Sequence, residues 1–302
     1  MARNAMQVRL MRLKESARRA YGEVIRGRTR VRVIHASVAV SNTPARFVLS
    51  PYRSGTTLLR YCLDSHPDLA VPPETDFMAP IAQVMADDAS MAGYRDLGYE
   101  EVDVRRLLSQ AARNPLDTYA EGRGAASGWA DKSPRYAEMP DGIRTLFPDA
   151  AFLVMQRHPL DQIHSFTKGG TVRHPALGSQ GTGEELVLSA ARYWATLARG
   201  LRSFAVDHPR QTLSIRYEDL CAHPDDTLHA VTDHFGLTWS PDVLDYHDHD
   251  HDLGREAGRV AGTRGFSLST GGWRSWPDSW SSAAWSVVAD EAEPLGYRAE
   301  GV

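Results

Sequence analysis

The stretch that most constrains the fold is a short apolar run that ends in a glycine-containing turn. Residues 45–50 read ARFVLS, which is typical of a buried strand, and Pro51 ends the run. Residues 52–57 read YRSGTT, and a helical pattern of apolar residues begins at Leu58. A tight turn from a strand into a helix directs several backbone N–H groups to one point at the positive end of the helix dipole. The sequence therefore predicts an anion-binding loop at this turn.

The side chains of the turn suit a phosphate group. Gly55 allows the backbone to approach an anion closely, and Thr56 and Thr57 add hydroxyl donors. Arg53 adds a permanent positive charge with several N–H donors. A Walker A loop would place a lysine directly after its second glycine, and this turn has none. The pattern favours phosphate binding over nucleoside-triphosphate hydrolysis, and an ordinary polar turn is the alternative.

A second anion site is predicted after another apolar strand. Residues 151–156 read AFLVMQ, and the following helix is expected to begin near Pro159. Arg157 lies at the end of the strand and Ser165 lies eight residues later in the helix. The two side chains can converge on one phosphate, which Arg157 would hold with two N–H groups and Ser165 with its hydroxyl. Two such loops after parallel strands would form a split phosphate clamp at the carboxyl edge of a sheet, where ligands of open α/β folds bind.

Apolar strands alternate with helical patterns along most of the chain. A third strand is predicted for residues 211–216, and helices are predicted for residues 101–113, 140–146, 184–206 and 224–235. This alternation indicates a parallel sheet that is flanked by helices on both faces. The chain has 302 residues, and we interpret residues 45–302 as a single α/β domain and residues 1–44 as an N-terminal extension.

The N-terminal extension is strongly basic. Residues 1–34 hold ten Lys or Arg residues and two Glu residues, a charge of 10 − 2 = +8 in a chain whose net charge is −4. Apolar residues recur there at helical spacing, which predicts a basic amphipathic helix. Such a helix would contact an acidic partner or bind peripherally to an anionic membrane surface. The alternative is a helix that packs on the domain and exposes its basic face to solvent. The negative net charge gives no indication of nucleic-acid binding.

Cysteine usage and hydropathy predict a cytoplasmic protein. Cys62 and Cys221 are the only two cysteines, which excludes a disulfide framework and a CxxC metal site. The longest apolar stretch near the N-terminus, residues 33–40, is much shorter than the roughly 20 residues that a transmembrane helix needs. We also expect no cleavable signal peptide, because no such pattern precedes that stretch.

The two anion sites resemble those of a known family, the sulfotransferases that use 3′-phosphoadenosine 5′-phosphosulfate (PAPS). Residues 52–59, YRSGTTLL, are similar to the 5′-phosphosulfate loop in its PRSGTTLL form, with Tyr52 where proline is usual. Arg157 and Ser165 match the R-x-P-x-D-x-x-x-S site for the 3′-phosphate of PAPS. The resemblance covers about residues 45–299. Its later elements are DKSP at 131–134, YEDL at 217–220, GGWR at 271–274 and LGY at 295–297.

The resemblance implies a fold, a reaction and a set of site residues. The fold would be P-loop-kinase-like, and the reaction would transfer a sulfonate group from PAPS to a hydroxyl group and release PAP. The residues that would bind PAPS are Arg53, Ser54, Gly55, Thr56, Thr57, Leu58, Arg157, Ser165, Tyr217, Gly272, Trp273 and Arg274. Catalytic roles are implied for Arg53, for Lys132, which would reach the transferring sulfonate, and for Glu74. Glu74 lies 21 residues after Arg53, the position of the general base in tyrosylprotein sulfotransferases.

Several histidines offer alternatives at the site. His66 and His158 are alternative bases, although His66 precedes a proline and suits a turn, and His158 borders the predicted 3′-phosphate site. Residues 247–252 read HDHDHD, which indicates either a metal site or an acidic loop that includes part of the acceptor pocket. We expect no metal requirement, because Arg53 and Lys132 would supply the positive charge.

Two other functions compete with sulfonate transfer. The first is a nucleotide or nucleoside kinase of similar topology, which should carry the Walker lysine that is missing here. The second is a non-catalytic adaptor that keeps a nucleotide pocket and binds a partner through its basic N-terminus. Within the sulfotransferase reading, the acceptor could be a hydroxyl group of a small metabolite, a glycan, a lipid or a tyrosine. The sequence does not specify an oligomeric state.

Overall fold

The computed structural model describes residues 41–168, 183–252 and 263–300. Within these ranges the strands are β1 (Arg46–Leu49), β2 (Asp131–Lys132), β3 (Ala151–Gln156) and β4 (Thr212–Arg216). The α-helices of the same ranges are α1 (Thr56–Asp64), α2 (Met78–Ala86), α3 (Asp88–Asp96), α4 (Glu101–Arg123), α5 (Pro140–Leu146), α6 (Pro159–Thr167), α7 (Glu184–Asp207), α8 (Tyr217–Ala222), α9 (Pro224–His234) and α10 (Asp278–Ala292).

The four strands form one parallel sheet in the order β2-β1-β3-β4. In the register, Phe47 lies between Asp131 of β2 and Phe152 of β3, and Leu153 of β3 pairs with Leu213 of β4. Every strand therefore ends at the same edge of the sheet. This is the single α/β domain with a parallel sheet flanked by helices that the sequence predicts.

The inner strands β1 and β3 are buried on both faces, as is typical of a parallel sheet. On one face, Phe47 and Phe152 stack with their ring centroids 5.8 Å apart and pack against helices α5 and α7. On the other face, Val48 and Leu153 pack against helices α1, α8 and α9. Each buried aromatic or aliphatic side chain contributes roughly 1.5–3 kcal/mol through the apolar surface that it removes from water. The strands are thus fixed in place on both faces, and their carboxyl ends are held rigidly.

A third apolar cluster joins helices α6, α7 and α10 beside the sheet. Ile163 of α6 and Trp194 of α7 are buried in it with Val288 of α10. The side chain of Gln162 accepts a hydrogen bond from the Trp194 indole at 2.7 Å. This cluster positions the first turns of α6, which follow β3 directly.

Helix α4 and strand β2 differ from what the sequence predicts. The helix that begins at residue 101 was expected to end near residue 113, before Pro115, but α4 continues to Arg123. It continues because Leu116 and Ala120 are buried in the core, and it ends at Gly124, which has φ 72°. Strand β2 was not predicted, because its two residues, both buried, are charged rather than apolar.

The predicted N-terminal helix, within residues 1–34, lies outside the described residues, which begin at residue 41. Among the helices that the structure does describe, none combines the length and the hydropathy of a membrane span.

Candidate active site

The carboxyl edge of the sheet gathers one functional group from each strand. Strand β2 ends at Lys132, and residues 50–55 follow β1 as the predicted anion-binding loop. Arg157 follows β3, and Tyr217 follows β4. Because the strand order is β2-β1-β3-β4, these groups lie in the order Lys132, loop, Arg157 and Tyr217 along one edge.

The loop after β1 adopts a conformation that requires glycine at its last position. Gly55 is the N-cap of α1 with φ 90°, and a Cβ atom built there would lie 2.3 Å from a ring carbon of Tyr217. Arg53 also has a positive φ, of 70°. Among the described residues no side chain caps the N-terminus of α1. The backbone N–H groups of Thr56 and Thr57 at that terminus are therefore available to an anion.

The hydroxyl of Ser54 holds the loop against α6. It donates a hydrogen bond to the Pro51 carbonyl at 2.7 Å and accepts one from the Gln162 side-chain amide at 2.7 Å. Ser54 is fully buried. Its side chain thus shapes the loop from within, while Leu58 anchors the first turn of α1 in the core.

The two anion sites predicted from the sequence meet in the structure. The Nε atom of Arg53 donates to the Ser165 hydroxyl at 3.0 Å, and Arg157 donates to the Arg53 carbonyl at 3.0 Å. The Arg157 guanidinium lies 4.7 Å from the ring centre of Tyr217. Its Nε atom is buried and has no hydrogen-bond partner among the described residues. A charged donor without a partner is a fitting ligand for a phosphate oxygen.

A later segment, residues 267–272, covers Arg157 and Tyr217. Arg157 donates to the Ser269 carbonyl, and the Ser269 N–H donates to the Tyr217 hydroxyl at 3.2 Å. The Tyr217 hydroxyl in turn donates to the Ser267 carbonyl at 3.1 Å. Burial raises the pKa of Tyr217 to about 12, so its hydroxyl keeps its proton at neutral pH.

The same segment is fastened to α6 through Asp161. Its carboxylate accepts hydrogen bonds from the Thr270 hydroxyl at 2.7 Å and from the Gly272 N–H at 3.2 Å. The Arg274 guanidinium donates to the Glu300 carbonyl at 2.6 Å and lies over the Trp273 ring. Gly272 and Trp273 thus close over α6, whereas Arg274 contacts the C-terminal residues.

The predicted general base and the predicted lysine contact each other. The Nζ atom of Lys132 lies 2.6 Å from Oε1 of Glu74, and their side chains are 1% and 19% exposed. A buried ammonium group needs such a partner, because an unpaired charge in the interior is strongly destabilising. The Glu74 carboxylate is partly exposed, so it can still contact a ligand that enters from solvent.

Beside this pair lies a buried carboxyl group, Asp131, which was named from the sequence only as part of the DKSP element and without a role. The hydroxyls of Thr75 and Tyr136 both donate to Oδ2 of Asp131, at 2.9 Å and 2.7 Å. Burial raises the pKa of Asp131 to about 6, and these hydrogen bonds act in the opposite direction. The available signals were the place of Asp131 in the DKSP element, directly before Lys132, and the position of Thr75 directly after Glu74.

Neither alternative histidine is arranged as a base. Nδ1 of His66 accepts the Asp68 N–H at 3.1 Å, so Nε2 carries the proton and donates to the Thr238 carbonyl at 2.7 Å. His158 is fully buried, contacts the Arg298 carbonyl at 2.9 Å through Nε2, and stacks on Trp273. Both imidazoles hold the backbone in place, which leaves Glu74 as the candidate base.

The histidine-rich segment at residues 247–252 is attached to the domain. Nδ1 of His251 lies 2.8 Å from Oδ2 of Asp64, and the imidazole stacks on Tyr61 at 4.4 Å between ring centres. The Asp252 carboxylate accepts the Tyr119 hydroxyl at 2.7 Å. In the part of the chain that the structure describes, no three His, Cys, Asp or Glu side chains group as metal ligands.

Comparison with known proteins identifies the family. A family model described as "Sulfotransferase family" matches residues 44–241, which is more than half of the 302 residues. Protein-tyrosine sulfotransferase 2 of Gallus gallus is 27% identical over 219 residues, which are 71% of this chain and 56% of the relative. The chain spans about half the length of the curated relatives it matches.

Solved structures share the fold. The sulfotransferase domain from the curacin biosynthetic pathway has a TM-score of 0.60 and 22% identity, over 85% of this chain and 99% of that one. Mouse sulfotransferase SULT7A1 complexed with PAP has a TM-score of 0.50 and 13% identity, over 84% and 86% of the two chains. These similarities confirm the predicted P-loop-kinase-like fold. Since the family model and the fold agree, the chain belongs to the sulfotransferase family.

Proposed function

We propose that the protein transfers a sulfonate group from PAPS to a hydroxyl acceptor by in-line displacement, with Glu74 as general base. The observation that carries this proposal is the row of groups at the carboxyl edge of the sheet. Lys132, the loop after β1 and Arg157 lie side by side there, and Glu74 contacts Lys132 at 2.6 Å. Family membership supports the reaction, and this row supports the assignment of roles.

The donor would be held at two separate phosphate positions. The N–H groups at the start of α1, together with Arg53, suit the 5′-phosphosulfate. Arg157 and Ser165 suit the 3′-phosphate, and the buried Nε atom of Arg157 has no partner among the described residues. The residues present therefore fit the donor. When bound, PAPS supplies a sulfonate group on a phosphate leaving group.

The chain's own residues would assist transfer in three ways. Glu74 accepts the proton of the acceptor hydroxyl as the new oxygen–sulfur bond forms. The sulfur–oxygen bond to the phosphate breaks, and Arg53 with the loop N–H groups stabilises the negative charge on the departing oxygen. Lys132 neutralises charge on the sulfonate oxygens. Because these groups supply the positive charge that a metal supplies in kinases, we propose that no metal is required.

The experiment that tests this function measures transfer of labelled sulfonate. The full chain is incubated with labelled PAPS and a panel of small alcohols, phenols, glycans, hydroxylated lipids and tyrosine peptides, with and without EDTA. We expect labelled product from at least one acceptor class, equally in EDTA. A chain that consumes no PAPS but transfers phosphate from ATP with Mg²⁺ would instead be a kinase, and loss of transfer in EDTA that Zn²⁺ or Mg²⁺ restores would contradict the metal-free mechanism.

Three other predictions from the sequence are kept as proposals. Residues 1–34 would contact an acidic partner or an anionic membrane surface, with residues 1–44 acting as an extension to the domain. The +8 charge of that segment supports this proposal. A cytoplasmic location is proposed from the use of only two cysteines.

A further inference from the structure

Two short segments beside the active site are joined through three consecutive pairs of side chains. Residues 74–76 connect the core to helix α2, and residues 131–133 include strand β2. Each side chain of the first segment contacts one side chain of the second. The three contacts are Glu74 with Lys132 at 2.6 Å, Thr75 with Asp131 at 2.9 Å, and Asp76 with Ser133.

Side chains rather than backbone hold the first segment. The chain pairs with the sheet at Ala70, which receives the Ala130 N–H at 3.0 Å and donates to the Gly128 carbonyl at 2.9 Å. Among the described residues, residues 73–76 make no backbone–backbone hydrogen bond. Asp76 also has φ 57°, a conformation that a residue with a Cβ atom rarely adopts. The position of Glu74 therefore depends on the side-chain pairs.

The middle pair has a fully buried acceptor. Asp131 is 0% exposed, and its Oδ2 atom receives two hydrogen bonds, from Thr75 and from Tyr136. Tyr136 is itself fully buried in the core beside Phe47, with ring centroids 6.1 Å apart. The Thr75 hydroxyl also lies 2.9 Å from the Tyr136 hydroxyl, so two buried groups fix its position. Because Thr75 is the next residue after Glu74, this contact fixes the backbone that carries the Glu74 carboxylate.

We propose that Asp131 and Thr75 are positioning residues, which hold the Glu74 carboxylate against Lys132 and in line with the acceptor hydroxyl. The inference rests on the proposed role of Glu74 as general base. Neither residue contacts the reacting atoms in this proposal, and both act through Glu74.

The first experiment compares variants of Thr75 in the full chain. Thr75→Val keeps the shape of the side chain but removes the hydroxyl, whereas Thr75→Ser keeps the hydroxyl. We expect Thr75→Val to lower kcat by at least about 10-fold, because small displacements of a catalytic group have large effects on rate. Thr75→Ser should keep kcat within about 3-fold of the wild type, because it keeps the hydroxyl. PAP affinity, measured by calorimetry, should change by less than about 3-fold in both variants.

A matched control is Thr118→Val. Thr118 lies on the exposed side of α4 and donates to the Asn114 carbonyl of its own helix, at 2.9 Å. The Thr118→Val variant also loses a threonine hydroxyl, but at a position far from the site in sequence, and its kcat should equal that of the wild type. Equal losses in Thr75→Val and Thr75→Ser, or no loss in Thr75→Val, would overturn the proposal.

The decisive experiment repeats the substitution without the base. In a Glu74→Gln background, Thr75→Val should change kcat by less than about 2-fold, because residues that act as a unit are not additive. A purely structural role predicts the same loss in both backgrounds and would contradict the inference. The cycle is repeated with Asp131→Ala, which tests the same contact from its other side should Thr75→Val not fold.

The two levels of proposal fail in different ways. If Glu74→Gln alone keeps normal turnover, the base assignment is wrong. If Glu74→Gln loses turnover while Thr75→Val and Asp131→Ala do not, the base stands and the positioning role is rejected.

Discussion

At the scale of single residues, Arg157 separates a 3′-phosphorylated donor from other nucleotides. Its guanidinium is held by carbonyls of the loop and of residue 269, and its buried Nε has no partner among the described residues. ADP has no 3′-phosphate and would leave the Nε–H group of Arg157 without a hydrogen-bond acceptor. A charged hydrogen bond of this kind contributes about 1.5–3 kcal/mol, or roughly 10- to 150-fold in affinity. We expect PAP to bind more tightly than ADP by that factor, and Arg157→Ala to abolish most of the difference.

Calorimetric titration of both proteins with PAP and ADP measures this preference. Arg95→Ala is a matched control, since Arg95 is exposed on helix α3, and it should keep the wild-type preference. If Arg157→Ala lowered the affinities for PAP and ADP equally, the assignment of the 3′-phosphate to Arg157 would be wrong.

Glu74 gives a second prediction at the same scale. Glu74→Gln keeps the size of the side chain and its contact with Lys132 through an oxygen, but it no longer accepts a proton. We expect kcat to fall by roughly 10²-fold or more, the usual scale for loss of a general base. PAP affinity should stay within a few-fold. Initial rates and calorimetry provide the two values, with Glu121→Gln on the exposed face of α4 as control. Normal turnover in Glu74→Gln would show that another group acts as the general base.

Single residues also show what sequence could predict of the site. The residue types of Arg53, Arg157 and Ser165 indicated phosphate contacts, and the structure brings all three together. Asp131 was named only as part of the DKSP element and was given no role, because a buried carboxylate is recognised by its partners, and Thr75 lies 56 residues away in sequence. The two histidines were only alternatives to Glu74 from the sequence, with His66 suited to a turn, and the structure bonds both imidazoles to backbone carbonyls.

At the scale of elements, the turn between β1 and α1 depends on one glycine. Gly55→Ala places a methyl group 2.3 Å from the Tyr217 ring on a backbone with φ 90°. The variant must shift either the loop or the ring, so we expect PAP affinity to fall at least about 10-fold and stability to fall by about 1–3 kcal/mol. Calorimetry and urea unfolding measure the two effects.

Another glycine provides the matched control for this element. Gly200 lies within α7, and a Cβ atom there would have nothing within 4 Å. Gly200→Ala should increase stability by about 0.5–1 kcal/mol, because alanine favours the helix. In a Tyr217→Ala background, Gly55→Ala should cost less stability than it costs in the wild type, because the steric conflict with the ring is absent. An equal cost in both backgrounds would contradict the assignment of the conflict to the ring.

Elements differ in how far sequence predicts them. Strands β1 and β3 are largely apolar runs and β4 alternates apolar with polar residues, and the predicted ends of all three lie within a residue of those observed. Strand β2 consists of Asp131 and Lys132 and is set by pairing with Phe47 and Val48, which local hydropathy does not record. The extension of α4 past Pro115 depends in the same way on core contacts distant in sequence.

At the scale of the whole molecule, strand order assembles the site. Alternation of strands and helices predicted a parallel sheet, but not that β1 would lie between β2 and β3. That order places Lys132 on one side of the loop and Arg157 on the other. This arrangement suits a donor with two phosphate groups and a base beside Lys132. It depends on contacts between distant parts of the chain.

The stability of the whole molecule should depend on pH through Asp131. Burial raises the pKa of this carboxyl from 3.8 to about 6. The folded state therefore binds its proton more tightly than the unfolded state does. The contribution to stability is fully present below pH 3.8 and is lost as pH rises through about 6.

Asp131→Asn removes this titration and isolates its effect. Relative to the variant, the wild type should lose roughly 1.4 kcal/mol of unfolding free energy between pH 5 and pH 7.5, the value that linkage gives for pKa values of 3.8 and 6. Urea unfolding followed by circular dichroism at both pH values measures the difference. Asp87→Asn is the control, because hydrogen bonds from Ser90 lower the pKa of Asp87 and place its titration below this range. A wild-type-to-Asp131→Asn difference that is the same at both pH values would show that Asp131 does not titrate between them, and the raised pKa would be rejected.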